Sequence, residues 1–148
     1  MISELKPYER KVHYYETDKM GIVHHSNYIR IFEETRVHYL EQSGISFEEI
    51  EAMGLMMPVL SMECNYKSPM VFNEPFESYA VLTKFNGAVM NIEYRIISKR
   101  TGAICVTGKS AHCFTNAELK PVRMKRSYPE LYELFSRYAE YDPFGAEG

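Results

Sequence analysis

From Asn27 to Ser43 the apolar residues Tyr28, Ile29, Ile31, Phe32, Val37, Tyr39 and Leu40 recur at helical spacings and cover more than one narrow stripe. A helix of this kind has to be wrapped by other structure, because one flat neighbour would leave apolar side chains in water. Gly44 supplies the left-handed stop that helices favour. Ser46-Phe-Glu-Glu49 is a capping-box pattern opening a second, short helix, which Gly54 is placed to end.

The wrapping has to come from strands. Residues 8 to 15 alternate Tyr8, Arg10, Val12 and Tyr14 against Glu9, Lys11, His13 and Tyr15, which predicts a first strand. After the helices, residues 56 to 67 form a β-rich run that stops near Ser68-Pro69, where proline removes a ladder donor. Phe76 to Phe85 is followed by Asn86-Gly87, a strong hairpin signal. Met90, Ile92, Tyr94 and Ile96 then alternate with polar residues, Thr101-Gly102 turns the chain, and Ala103 to Thr115 supplies a long last strand. Consecutive hairpins would make the second half an antiparallel meander. Ser127-Tyr-Pro-Glu130 reads as a further capping box, ahead of a helix whose stripe is Leu131, Leu134, Phe135 and Tyr138. Tyr141 to Gly148 reads as a loose tail. Strand, long helix, then four strands predicts an α+β fold, an antiparallel sheet curled around one helix in a single domain spanning 1–148.

Composition narrows function by exclusion. With 45% apolar and 25% charged residues the chain is too apolar for disorder, and its net charge of −3 offers no basic field to a nucleic acid. No run approaches the roughly 20 apolar residues of a membrane span, which points to the cytoplasm. Cys64, Cys105 and Cys113 have no metal-ligand spacing and read as buried free thiols; the last two sit about 26 Å apart on a straight strand. His13, His38 and His112 show no ligand-like grouping either, so neither a metal nor another cofactor is expected. Gly-x-Ser-x-Gly, His-Glu-x-x-His, Gly-x-x-x-x-Gly-Lys and Gly-x-Gly-x-x-Gly are all missing from the sequence.

The chemistry-bearing stretch is His13 to Tyr28. Asp18, Gly21, His24, His25 and Ser26 crowd the approach to a helix N-terminus, whose unpaired N–H groups and positive dipole end favour negative charge. The set Tyr15-Glu-Thr-Asp18-x-x-Gly21-Ile-Val-x-His25-x-x-Tyr28, continued by Phe32-Glu33-Glu34-x-Arg36, resembles the hotdog-fold acyl-CoA thioesterases of the 4-hydroxybenzoyl-CoA thioesterase family. It looks most like the branch with His at the place of His25. Tyr66-x-x-Pro69 and the terminal strands follow in the family order.

That resemblance implies a hotdog fold, a five-stranded antiparallel sheet wrapped around the long helix, assembled as homodimers and often homotetramers with active sites at subunit interfaces. It implies Asp18 as nucleophile or general base and a helix-start N–H at His25 as donor to the thioester carbonyl; Gly21, Tyr28 and Lys67 are the expected substrate contacts. The His25 side chain can orient Asp18 or water, or assist thiolate departure. Lys19-Met20 replaces the smaller pairs common in the family and bears on pocket width.

Plainer roles accompany each residue. Asp18 suits a turn, His25 a cap, Gly21 a positive backbone angle, and Glu33 with Arg36 an i,i+3 ion pair. Glu33 or Glu34 is the rival acid, and His24 reads as a surface residue. Lys67 and the run Arg123-Met-Lys125-Arg126 suit coenzyme A phosphates. Acyl-CoA is the expected substrate, with acyl carrier protein as a second donor and a non-catalytic thioester-binding module as the reading from another class. Acyl length would depend on which of Met53, Met56, Met57, Met62 and Met90 line the pocket. Apolar residues on both faces of strands such as Tyr79 to Phe85 argue for a dimer.

Overall fold

The computed structural model describes residues 5–140; the expectation for Tyr141 to Gly148 lies outside them. Five strands, β1 (Tyr8–Lys11), β2 (Val59–Tyr66), β3 (Pro75–Phe85), β4 (Val89–Ser98) and β5 (Ile104–Cys113), form one sheet in the order β1-β3-β4-β5-β2. Every pairing is antiparallel. The long helix α1 (Ser26–Gln42) lies in the curl of this sheet, followed by α2 (Phe47–Ala52). Two helices, α3 (Met124–Ser127) and α4 (Pro129–Ala139), come last. The expected α+β hotdog architecture is the one observed.

Helix α1 turns Tyr28, Ile31, Phe32, Thr35, Tyr39 and Leu40 into the core. Along β4, Met90, Ile92, Tyr94, Ile96 and Ser98 point inward, alternating with half-buried residues. The two sets meet where Phe32 stacks on Tyr94, ring centroids 4.4 Å apart and 15° from parallel. Gly108 of β5 makes that stack possible, since a Cβ there would come within 2.7 Å of Phe32 Cζ and 2.9 Å of the Glu63 carbonyl oxygen. Ser46 caps α2 by accepting from the Glu49 N–H at 3.1 Å, and Gly44 and Gly54 take positive φ as expected.

Four expectations need correction. The first strand stops at Lys11, and Tyr14–Glu16 form a single 3-10 turn, with Tyr14 75% and Tyr15 78% exposed. The Glu16 carboxylate, buried against Arg10, draws the chain out of the ladder. The meander covers β3, β4 and β5 only, because β2 crosses to the far edge beside β5. The Ser127 capping box does not form: Ser127 ends α3, Tyr128 precedes α4, and Pro129 occupies its first turn, where a missing N–H costs nothing. Its stripe is nonetheless as read, with Leu131, Phe135 and Tyr138 buried. Of the three free thiols only Cys105 is buried, Cys64 and Cys113 being half-buried.

Gly108→Ala should overpack the Phe32–Tyr94 contact and destabilise by about 1–3 kcal/mol, lowering Tm by several degrees in a thermal melt. An unchanged Tm would mean the ring can give way.

Candidate active site

The loop between β1 and α1 is built around Glu16. Its side chain is 4% exposed and takes Arg10 in a fork, Nη1 to Oε1 at 2.8 Å and Nη2 to Oε2 at 2.7 Å, while Oε1 also accepts the His13 N–H at 2.8 Å. Burial alone would raise this carboxyl's pKa; the Arg10 guanidinium and the His13 N–H outweigh it and hold it below the usual range. Arg10 Nε reaches on to Glu34 of α1 at 2.9 Å. The Glu16 carbonyl accepts from the His24 N–H and from Asn27 Nδ2, both at 2.9 Å, tying the loop's base to the helix entrance.

From that base the chain makes a tight hairpin. The Asp18 N–H donates to Ile22 O at 3.0 Å, the Gly21 N–H donates to Asp18 O at 2.9 Å, and Gly21 has φ +80°. Asp18 Oδ1 accepts the Met20 N–H at 2.8 Å, so the turn role is real, and Oδ2 has no partner among the described residues. The Val23 N–H donates to Met70 O at 2.9 Å and Ile22 bridges Val71, fastening the hairpin to the segment that follows β2.

At the helix entrance His25 already has helical angles, φ −54° and ψ −32°. The His24 ring contacts Ser26, Nδ1 lying 2.8 Å from Oγ and accepting the Ser26 N–H at 3.3 Å. His24 is exposed, as expected, and its ring also accepts an N–H at the start of the helix. The His25 N–H has no acceptor among the described residues, and its ring meets Tyr66 edge-on at 6.2 Å.

Asp18, His25, Tyr28 and Lys67 all line one open depression of about 400 Å³, together with Tyr66 and Met20. Gly21 is not on its wall, and its positive φ shapes the turn. Tyr28 is buried, which pushes its phenol up to about 12, and its ring lies 5.6 Å from that of Tyr66. Lys67 is exposed at the rim, its backbone N–H held by Cys105 O at 2.8 Å. Arg123, Lys125 and Arg126 do not line the depression, nor does any of Met53, Met56, Met57, Met62 or Met90. Glu33 pairs loosely with Arg36 at 4.0 Å, while Glu34 is held by Arg10 and by the Tyr8 hydroxyl at 3.0 Å. The structural weight of Arg10 and Glu16 had no sequence signal beyond their place in alternating and polar runs.

A family model described as the thioesterase-like superfamily matches residues 12–135. The chain belongs to that family. An Aquifex aeolicus protein provisionally named an esterase is 37% identical over 106 residues, covering 72% of this chain and 81% of its own. A Bacillus subtilis protein provisionally named an acyl-CoA thioesterase is 27% identical over 130 residues, 87% and 94% of the two chains. The crystal structure of a DHNA-CoA thioesterase from Staphylococcus aureus superposes with a TM-score of 0.85 at 28% identity, covering 89% of each chain. The chain is thus a hotdog-fold thioester hydrolase by family, and among the described residues no helix is long and apolar enough to cross a membrane.

Because Glu16 is held ionised by the fold, its stabilisation is complete above the ordinary carboxyl pKa and is lost as pH falls through the lowered one. Glu16→Gln should melt well below the wild type at pH 7, and the gap in Tm should narrow as the pH is taken from 5 toward 3. A gap that widened in acid would reverse the assignment.

Proposed function

We propose that the protein hydrolyses an acyl-CoA thioester to the free acid and coenzyme A. Asp18 acts as nucleophile or general base, and the His25 N–H at the mouth of α1 receives the developing oxyanion. The observation that carries this reading is the meeting, on one open depression, of a carboxylate with an unpartnered Oδ2 and a helix-entrance N–H without an acceptor. A thioester carbon becomes tetrahedral as oxygen adds, and the charge on its oxygen is best met by a donor already in place at the positive helix end. In the base route Asp18 takes the proton of the attacking water, the C–S bond breaks, and the departing sulfur is protonated to give the free thiol. The His25 ring, which lines the same depression, would assist that last step. Tyr28 and Tyr66 offer an aromatic wall to the acyl group or the pantetheine arm, and Lys67 at the rim suits a phosphate of coenzyme A.

The relatives favour coenzyme A as the thiol, since the Bacillus protein carries an acyl-CoA thioesterase name and the Staphylococcus enzyme acts on DHNA-CoA. The rival acids fit less well. Glu33 lies about 12 Å along the helix from His25 at 1.5 Å per residue and does not line the depression, while Glu34 is held by Arg10 and Tyr8. Asp18→Asn should fold normally and lower kcat by at least ~10²-fold on its best acyl-CoA, with Glu33→Gln near wild type. The reverse pattern would move the acid to the helix. Matched acyl-CoA and acyl-carrier-protein substrates should show faster release from the former.

The reading extends to assembly. The core strands cover their own apolar residues, Val81 and Leu82 being buried, so the surplus is not on Tyr79 to Phe85 as expected. It lies on the edge strand β2, where Val59, Leu60 and Tyr66 are each more than half exposed, and on Ile29 of α1. An open edge with apolar side chains asks for a partner, and Tyr66 carries that edge to the depression. A two-fold dimer should therefore be the smallest active unit. Sedimentation and activity followed together through dilution should fall in step, whereas a fully active 17.3 kDa monomer would exclude a shared site.

A further inference from the structure

Beneath the C-terminal half of α1 lies a second cavity, of about 440 Å³, within the 300–1,000 Å³ range of small-molecule pockets. Its walls are mainly apolar, with Leu40, Met57, Leu82, Ile92 and Phe135 among them. It shares no lining residue with the depression at the helix entrance. Tyr28, Phe32 and Arg36 follow one another at i, i+4 and i+8 on α1: the first lines the depression, the last lines the cavity, and Phe32 between them is fully buried against Tyr94.

Arg36 sets this cavity apart from a packing void. Its side chain is only 16% exposed, yet of five guanidinium N–H groups just one makes a hydrogen bond among the described residues, Nη1 to Tyr94 Oη at 3.0 Å. Its nearest carboxylate, Glu33 Oε2, stands 4.0 Å away on a side chain that is 74% exposed. His112, the other titratable nitrogen on the wall, adds no charge: burial first and the neighbouring Arg36 second hold it down at about 4, and it lies at the end of the chain Tyr94–Ser110–His112. A planar fork with unused donors, set in an apolar chamber, matches a carboxylate carried on an aliphatic chain.

We propose that this cavity binds a medium-chain aliphatic carboxylate, its head on Arg36 in place of Glu33 and its tail among Leu40, Met57 and Phe135. The site is separate from the hydrolytic depression, and its occupancy does not require turnover.

Calorimetric titration of the intact protein with decanoate and with decanol, below micelle formation, tests this. Decanoate should bind at least about tenfold more tightly than the alcohol, the scale of one charge-assisted hydrogen bond. Arg36→Gln should erase the difference. Glu33→Gln, an exposed change that leaves folding alone, should tighten decanoate by removing its competitor, and Val37→Trp, which fills the cavity from its half-buried wall, should abolish binding of both. Equal affinities for acid and alcohol in the wild type would overturn the proposal, as would decanoate binding unchanged in Glu33→Gln. Competition by free coenzyme A would place decanoate at the Tyr66–Lys67 depression and overturn it too. Decanoate binding intact in Asp18→Asn, with thioester hydrolysis lost, would support a site apart from the depression, and decanoate binding lost with it would overturn that separation.

Discussion

The buried pairing of Arg10 with Glu16 is the contact on which the arrangement of the site depends. Arg10 comes from the sheet edge, Glu34 from α1, and Glu16 from the loop between them, so one guanidinium joins three parts of the chain. A carboxylate this deep is tolerable only because both of its oxygens are met by fixed donors. The same residue's carbonyl then takes two donors from the helix entrance. Asp18 lies two residues further on, so its position relative to His25 follows from a rigid, desolvated base instead of from a surface loop's preferences.

This explains why the loop could be read as functional while its support could not. Asp18, His25 and Tyr28 are within eleven residues of one another, and the physics that gathers them, a turn with Gly21 at positive φ feeding a helix, is local. Lys67 joined them because the strand ending at Tyr66 returns past the helix mouth; its charge suggested a phosphate contact, but nothing local in the sequence set it beside Asp18. The burial of Glu16 depends on Arg10 coming back across the end of the sheet, and alternation along 8–15 described that stretch as strand because it counted side chains without knowing that a charged one would be drawn inward.

The fold shows the same division. β3, β4 and β5 were legible because period-two burial and turn residues are properties of neighbouring positions, as in Met90 to Ser98. The place of β2 was not, since nothing within Val59–Tyr66 says that its partner is Thr107 and its neighbours instead of β3. Likewise Ser127 looked like a cap until Pro129 took the first turn of α4. The apolar cavity was out of reach for the same reason: its walls come from α1, from α2, from the approach to β2, from four strands and from α4.

Helix α1 finally joins two environments of opposite character. Its first turn meets water and polar groups, where an unsatisfied N–H can be kept available because solvent satisfies it until a ligand arrives. Its last two turns face an apolar chamber, where an unsatisfied guanidinium cannot be relieved so cheaply. Between them Phe32, Tyr94 and Gly108 pack without room for a methyl group. Tight packing of this kind transmits displacement instead of absorbing it. A shift of Arg36 toward a ligand would act on Tyr94 through their hydrogen bond, and Tyr94 on Phe32 through the ring stack. The block that separates the two ends of the helix is thus also a buried path along α1 by which one end can feel the other.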